Sequence, residues 1–509
     1  MEFLSSAWIL LCTVLLVSAL LFRKSGRGLK LPPSPTRLPI LGNLHLISNL
    51  PHRSLCKLAQ KYGPIMTIYL GSFPTIVISS SHMAEQFLRN YDHIFASRPV
   101  MGGDNDLLSP QKLTFSPYGP YWKFMRKFII QELLSPNRMR SFASLRAQEV
   151  FAMICSIQSK AGTNPDSVVD VTKEVGSLTN NIICRMSFGK KLNEAQLDGR
   201  TFREVLYELL ALSSSGFAYS DYIPLLGRLS LQGNRHRQAE LAKILDVFME
   251  SIVDEHFERR KKGIDLECGD FVDSLISLSE DESMEIKITR DHIKNVTFDI
   301  LAAATDTSAG VLDWAISELL RNPIAMKKTK EELDSVVELD RMVEESDLPN
   351  LHYLQSVVKE TLRLYPPAPL LLPHESIEHA TIEGYQLPKK TQLLVNVWAI
   401  ARDPTHWEEA SKFKPERFLG SQIDVKGHHF EVLPFGSGRR GCVGINLGFS
   451  IIHLGLAQLL HCFNWSLPQG ITPQNLDMSE IFHINSRRAV PLLAIPTPRL
   501  PLQLYELNN

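Results

Sequence analysis

The chain has 509 residues, 44% of them hydrophobic, with 54 Lys and Arg against 55 Asp and Glu and a net charge of -1 at pH 7. Such a balance provides no basic field for a phosphate backbone, which excludes nucleic acid as a principal partner, while length and apolar content allow a large core. The cysteines at 12, 56, 155, 184, 268, 442 and 462 form no CxxC pair, which suits a reducing compartment better than a disulfide framework. No low-complexity linker or internal repeat interrupts the chain, so the predicted organisation is an anchor (1–22), a hinge (23–40) and one large domain (41–509).

In chain order, Phe3 to Phe22 is an almost uninterrupted apolar run, of the roughly 20 residues that cross a bilayer core. Arg23, Lys24, Arg27 and Lys30 follow it, whereas only Glu2 and the terminal amine precede it, so the positive-inside rule places the rest of the chain in the cytosol. A cleaved signal peptide fits less well, because a basic n-region and a small-residue cleavage site are missing. Leu31-Pro32-Pro33-Ser34-Pro35 breaks any helix and predicts a stiff, extended spacer. Ile65 to Leu70 and Thr75 to Ser79, either side of Gly71-Ser72-Phe73-Pro74, predict a hairpin. Phe95-Ala96-Ser97-Arg98-Pro99 ends the next helix, and the Gly-rich segment from Met101 to about Lys112 is expected to be a long binding loop or lid. Trp122 and Arg126 lie one helical turn apart, an aromatic surface with a cation above it, or a snorkelling arginine on a core helix.

From about 133 to 270 the pattern is helical and carries no catalytic constellation; Phe217 to Leu226 breaks it and is expected to roof a substrate channel. Arg259-Arg260-Lys261-Lys262 reads as a solvated helix end rather than a docking site. Arg290 to Arg321, preceded by Thr289 as N-cap and closed by Asn322-Pro323, predicts one long buried helix, apolar on most faces around Ala302-Ala303-Ala304. Asp306-Thr307 in that setting needs a reason, because an unpaired buried carboxylate is costly. The Thr307 hydroxyl could simply bond back to the Ala303 carbonyl and bend the helix. Asp299, Ala303 and Thr307, at successive four-residue steps, could share a face, with Asp299 facing substrate or held in an ion pair.

Glu360 and Arg363 stand at i, i+3, usually a surface pair of little value. Leu364 to Glu375 is proline-fixed and apolar, which suits a pocket wall. Near the C-terminus, Pro434-Phe435-Gly436-Ser437-Gly438-Arg439-Arg440-Gly441-Cys442-Val443-Gly444 places one cysteine in a glycine-rich loop before a helical run, Ile445 to Phe463. The helix dipole with Arg439 and Arg440 is expected to favour thiolate at Cys442, making it a metal ligand; the alternative is a buried structural cysteine. Zinc is disfavoured by the lack of a Cys or His partner at ligand spacing.

Phe435-x-x-Gly438-x-Arg440-x-Cys442-x-Gly444 resembles the haem-binding signature of the cytochrome P-450 superfamily. The resemblance covers about residues 31 to 500, and the hinge, the Pro-His-Glu segment and Ala489 to Pro496 are similar to plant microsomal members of the large specialised-metabolism clan. It implies a mainly α fold with small β-sheets (α+β), with a long central helix over haem b (iron protoporphyrin IX) behind a single N-terminal transmembrane helix. Cys442 is then the axial iron ligand, and Trp122, Arg126, His374, Phe435, Gly438, Arg440 and Gly444 contact the cofactor; a satisfied loop histidine remains the alternative for His374. By the same resemblance Asp306 and Thr307 form an acid–alcohol pair that relays protons towards dioxygen. Ala303, Leu370, Leu371, Leu372, Phe482 and Ile484 line the substrate side, joined by Asp299, and Glu360, Arg363 and Arg417 form an internal structural network. Family members usually carry glycine where this chain has Ala304, which is expected to narrow the oxygen groove or shift the kink.

The implied activity is NADPH- and O2-dependent monooxygenation of a small apolar or phenolic plant metabolite, flavonoid, other phenolic or terpenoid. Electrons come through an NADPH-cytochrome reductase, at the endoplasmic reticulum membrane, with the N-terminal helix in lipid and the catalytic domain cytosolic. Two rivals are a haem-thiolate isomerase or dehydratase acting on a peroxide, and a non-catalytic haem-binding protein.

Overall fold

The computed structural model describes residues 29–506 apart from 100–111, 163–166, 193–195, 214–221, 223–231, 264–268, 285 and 484. The expected membrane span, most of the long loop after Met101, most of the segment 217–226 and Ile484 therefore lie outside the described residues. The proline segment is not a free spacer: the Pro33 carbonyl accepts from Thr67 N at 2.8 Å and the Pro32 carbonyl from Thr67 Oγ1 at 3.1 Å, so the hinge is laid against the first strand.

Helix α1 (Pro51–Tyr62) leads into the predicted hairpin, β1 (Ile65–Leu70) and β2 (Phe73–Ile78). They pair antiparallel from Ile65 opposite Ile78 to Leu70 opposite Phe73, around Gly71 at φ 59°, a left-handed conformation that costs glycine little. Further on lie α2 (Pro120–Phe128), α3 (Ala143–Ala161), α4 (Val171–Phe188), α5 (Arg290–Arg321) and α6 (His352–Leu364). Then come β3 (His374–Glu375), β4 (Gln392–Val395), α7 (Ile445–Cys462) and a short hairpin, β5 (Glu480–Phe482) and β6 (Ser486–Arg488). One sheet runs β1-β2-β4-β3, with β4 parallel to β2 and antiparallel to β3.

Helix α5 starts where Thr289 predicts: its hydroxyl accepts from His292 N, and His292 Nδ1 accepts from Thr289 N at 3.1 Å, a reciprocal cap. It packs on α4 and α7 and is buried along most of its C-terminal half, including Trp314, which stacks on Tyr365 at 4.1 Å and 8°. Thr297, Thr307 and Ser317 each donate to the carbonyl four residues back, so their hydroxyls are satisfied inside the helix.

Glu360 and Arg363 on α6 are wholly buried rather than a surface pair. Arg363 Nε and Nη2 reach the two Glu360 oxygens at 2.7 and 2.8 Å, Arg417 Nε reaches Oε1 at 3.3 Å, and Arg363 Nη1 donates to the Ala401 and Ala410 carbonyls. This clamps α6 to the segment that leads towards the Cys442 loop. The basic run is a solvated helix end, with residues 260–262 exposed; Arg259 pairs with Asp273, Arg260 with Glu280 and Lys261 with Glu258.

Candidate active site

The Cys442 loop is shaped by glycine where a side chain cannot go. Gly436 and Gly438 adopt φ of 67° and 68°, and a Cβ at Gly438 would collide with the Leu88 carbonyl and stand 2.8 Å from Asp92 Oδ1. The turn closes with Cys442 N donating to the Phe435 carbonyl at 2.9 Å, and Gly444 N donates to Cys442 Sγ at 3.3 Å. The thiol faces a cavity of about 350 Å³ whose opposite wall is α5, through Ala302, Ala303, Asp306 and Thr307. Asp299, Ala303 and Thr307 all line it, as their spacing predicts. Ala304 instead borders a second void of about 120 Å³, shared with Ser308, Leu447 and Cys442.

The expected source of thiolate character is corrected. Arg439 turns away to Asp92, its Nη1 2.7 Å from Oδ2, and Arg440 Nε donates to the Ala96 carbonyl at 2.6 Å. Burial pushes the Cys442 thiol up; the Gly444 amide and the Arg126 charge only offset it. A cation bound at the sulfur would be what makes it a thiolate.

Along one rim of the cavity, cations converge. Arg126 Nη2 donates to the Gly441 carbonyl at 2.7 Å, and Arg98 Nη1 donates to those of Leu372 and Pro373 at 2.7 Å each. The Arg126 and Arg440 guanidiniums lie over the Trp122 ring at 5.5 and 4.2 Å. His374 is buried, and its Nδ1 lies 2.9 Å from the Phe95 carbonyl. Burial lowers Arg98 to about 9, and burial with repulsion from Arg98 and Arg126 lowers Arg440 to about 8. Burial and the neighbouring Arg98 hold His374 well below the usual imidazole range. Among the described residues none of these three half- to fully enclosed guanidiniums is in an ion pair: their hydrogen bonds go to carbonyls, and Asp92, already paired with Arg439, only partly offsets the burial of Arg126 and Arg440. A flat group carrying carboxylates on this rim and a metal on the Cys442 side fits that chemistry, and haem b with its two propionates is such a group.

Arg98 was missed by sequence reasoning, where it stood only as a helix end; a cation in an apolar stretch just before proline was the available signal. Other site residues are redistributed. Leu371 and Leu372 line the cavity, but Leu370 is turned into the separate cluster around Met66 and Tyr222. A turn closed by Leu371 N on the Ala368 carbonyl, with Leu371 itself at φ 51°, separates the two neighbours. Phe482 is not a cavity residue either: it packs on His52 at 5.7 Å. Gly438 supplies close backbone packing rather than a cavity wall, whereas Phe435 lines the main cavity and Gly444 the smaller one.

Away from the cationic rim, the charged groups of the cavity sit at two places. Asp299 Oδ2 accepts from Thr114 N at 2.9 Å, and burial raises its carboxyl to about 6 against the pull of that amide and of Lys112. Asp306 accepts from Asn485 Nδ2 and lies 3.8 Å from Arg487 Nη1, both on the β5–β6 hairpin. Tyr207, His483, Asn485 and Arg487 complete this polar end; Tyr207, Asn485 and Arg487 carried no signal in the sequence.

The cytochrome P450 family model matches residues 32–491. The chain is 45% identical to "Cytochrome P450 CYP736A12" of Panax ginseng over 92% of its own length and 94% of that protein. It is 43% identical to "Cytochrome P450 71A9" of Glycine max, over 96% and 97%. A "3,9-dihydroxypterocarpan 6A-monooxygenase" of Glycine max is 40% identical over 97% and 98%. Among solved structures, a zebrafish cytochrome P450 with abiraterone superposes at a TM-score of 0.75 and 26% identity, covering 89% of this chain and all of that one.

Proposed function

Because this chain belongs to the cytochrome P450 family and is a haem-thiolate monooxygenase using haem b with electrons from NADPH through a reductase, we propose that it oxygenates a small phenolic plant metabolite. The observation that carries the reading is the largely apolar cavity between Cys442 and the Asp306–Thr307 pair, with isolated polar groups, Asp299 at one wall and Asp306, Asn485 and Arg487 at the other. Such a cavity orients a flat, mostly apolar molecule bearing hydroxyl groups. The pterocarpan-named relative supports the phenolic over the terpenoid reading.

When bound, haem supplies the iron chemistry of O2 activation. In this reading Cys442 Sγ would hold its iron, and Arg98, Arg126, Arg440, His374 and Trp122 would hold its carboxylate edge. Thr307 and Asp306 move a proton from solvent to the reaction side of the cavity. Phe298, Ala302, Ala303, Leu371 and Leu372 exclude water and orient the substrate. Glu360, Arg363 and Arg417 brace the fold behind the cofactor. The apolar run 3–22 would anchor one catalytic domain, 41–509, to the endoplasmic reticulum membrane through the hinge at 23–40, leaving that domain cytosolic.

The test is turnover in microsomes holding this chain and a plant reductase, offered phenolics and terpenoids with and without NADPH, with Cys442→Ser as control. An NADPH- and Cys442-dependent gain of oxygen in a phenolic is expected. A product from terpenoids alone would overturn the substrate class. A product formed without NADPH would point to peroxide rearrangement.

A further inference from the structure

Asp306 and Thr307 are adjacent on α5, yet their side chains engage different partners. The Thr307 hydroxyl donates to the Ala303 carbonyl at 2.7 Å, inside the helix. The Asp306 carboxylate leaves the helix: Oδ2 accepts from Asn485 Nδ2, and Oδ1 stands 3.8 Å from Arg487 Nη1. Neighbouring residues on a helix point about 100° apart, so no hydrogen bond between these two side chains is built in. Where the carboxylate points is decided by what meets it across the cavity.

What meets it is itself held. Ser486 N, between the two hairpin residues, donates to the Pro367 carbonyl at 2.7 Å, and Ser486 Oγ donates to Glu480 Oε2 at 2.8 Å. Glu480 is tied in turn to α1, its Oε1 lying 3.0 Å from His52 Nε2 and 2.5 Å from Arg53 Nε. Arg487 lies over the Tyr207 ring at 5.6 Å, and Arg488 Nη2 donates to the Asp477 carbonyl at 2.8 Å. The hairpin is thus fixed at both ends while Asn485 and Arg487 project into the cavity.

We propose that Asn485 and Arg487 are positioning residues that set the orientation of the Asp306 carboxylate, making the β5–β6 hairpin part of the proton-supply apparatus. Asn485 supplies direction, because an amide N–H fixes one carboxylate oxygen; Arg487 supplies charge on the other side. Both act through Asp306 in this proposal. A substrate occupying the polar end of the cavity competes for the same amide, which couples substrate seating to release of Asp306. The inference rests on the reading of Asp306 as the proton-supplying acid, so the test contains an arm for that reading alone.

The full chain in reductase-containing microsomes is compared as wild type, Asp306→Asn, Asn485→Ala, Asn485→Gln, Arg487→Gln and the Asp306→Asn/Asn485→Ala double variant, with whichever panel compound it turns over. Product per NADPH and the solvent deuterium isotope effect on product formation are measured, with thermal unfolding and the substrate-induced haem spectrum alongside. Asn485→Ala is expected to lower product per NADPH roughly tenfold, since misplacement of a group by about 1 Å can cost up to ~10²-fold. It should also raise the solvent isotope effect, with Asn485→Gln recovering part of the loss and Arg487→Gln giving a smaller one. In the Asp306→Asn background Asn485→Ala should add nothing to the loss, and the unfolding shifts of the two substitutions should be non-additive, as for residues in contact. A merely structural role would move the unfolding temperature and leave the isotope effect unchanged, which overturns the proposal. Additive effects of the two substitutions overturn it too. An inert Asp306→Asn sinks the reading of Asp306 itself and the proposal with it.

Discussion

The Arg440 guanidinium lies 4.2 Å over the Trp122 ring, joining the Cys442 loop to helix α2 at the edge of the cavity. Arg126, four residues beyond Trp122, covers the same indole at 5.5 Å and donates to Gly441, so one aromatic surface organises two cations towards one place.

Replacing Arg98 or Arg126 by Gln is therefore expected to weaken haem retention. A charged hydrogen bond is worth about 1.5–3 kcal/mol, roughly a 10- to 100-fold loss of haem affinity. Haem per polypeptide and the carbon monoxide difference spectrum measure it. Arg439→Gln removes the pair with buried Asp92 and the contact with the Tyr118 ring, neither of them on the cavity rim, and should lower haem affinity less than either rim substitution.

Breaking the Glu360–Arg363 pair should be costly because both side chains are fully buried. Arg363→Ala leaves the Glu360 carboxylate with only Arg417 and the Lys414 amide, and removal of one partner of such a pair costs about 3–5 kcal/mol. Denaturant unfolding of the full chain would reveal this; a cost under 1 kcal/mol would mean that water compensates the site.

Glu480 gives a pH signature. Burial alone would raise its carboxyl, but the His52 hydrogen bond and the His52 and Arg53 charges outweigh that and hold it at about 2, against 4.5 for a free glutamate. The folded state thus binds this proton more weakly than the unfolded state. The stabilisation, on the order of 3 kcal/mol, is complete above about pH 4.5 and is lost as pH falls towards 2. The stability gap between wild type and Glu480→Gln should shrink as the pH falls across that window. Urea titrations at pH 7, 5 and 3 provide the comparison.

Leu370 and Leu371 should separate stability from selectivity. Leu370→Ala, in a buried cluster away from the cavity, is expected to cost about 2–4 kcal/mol with product identity unchanged. Leu371→Ala, on the cavity wall, should alter the ratio of oxidised positions in the product at a smaller cost in stability. Mass spectrometry and thermal unfolding of the two variants distinguish these outcomes.

Several features were legible before any fold was known because they are local. The cap at Thr289 and the stop at Asn322-Pro323 delimit α5, the hairpin reads from its two β-rich runs about Gly71, and the glycines around Cys442 announce a loop that only small residues can form. The helical spacing of Asp299, Ala303 and Thr307 was enough to place them on one cavity wall. Glu360 and Arg363 were paired by spacing, but their complete burial comes from α6 packing against distant carbonyls.

What the amino-acid sequence determined by itself, then, was the cysteine in its loop, the long central helix and the family to which both belong. Only the tertiary structure decided that Arg439 serves Asp92 while Arg440 serves the cavity rim, that Leu371 faces the cavity and Leu370 does not, and that Arg98 joins the cations. It also decided that Asp306 is met by Asn485, 179 residues away in the chain. Periodicity and capping are short-range and can be read residue by residue. The direction of a side chain at a turn, and the partner of a charge, depend on which remote backbone folds against it, and no local pattern encodes that.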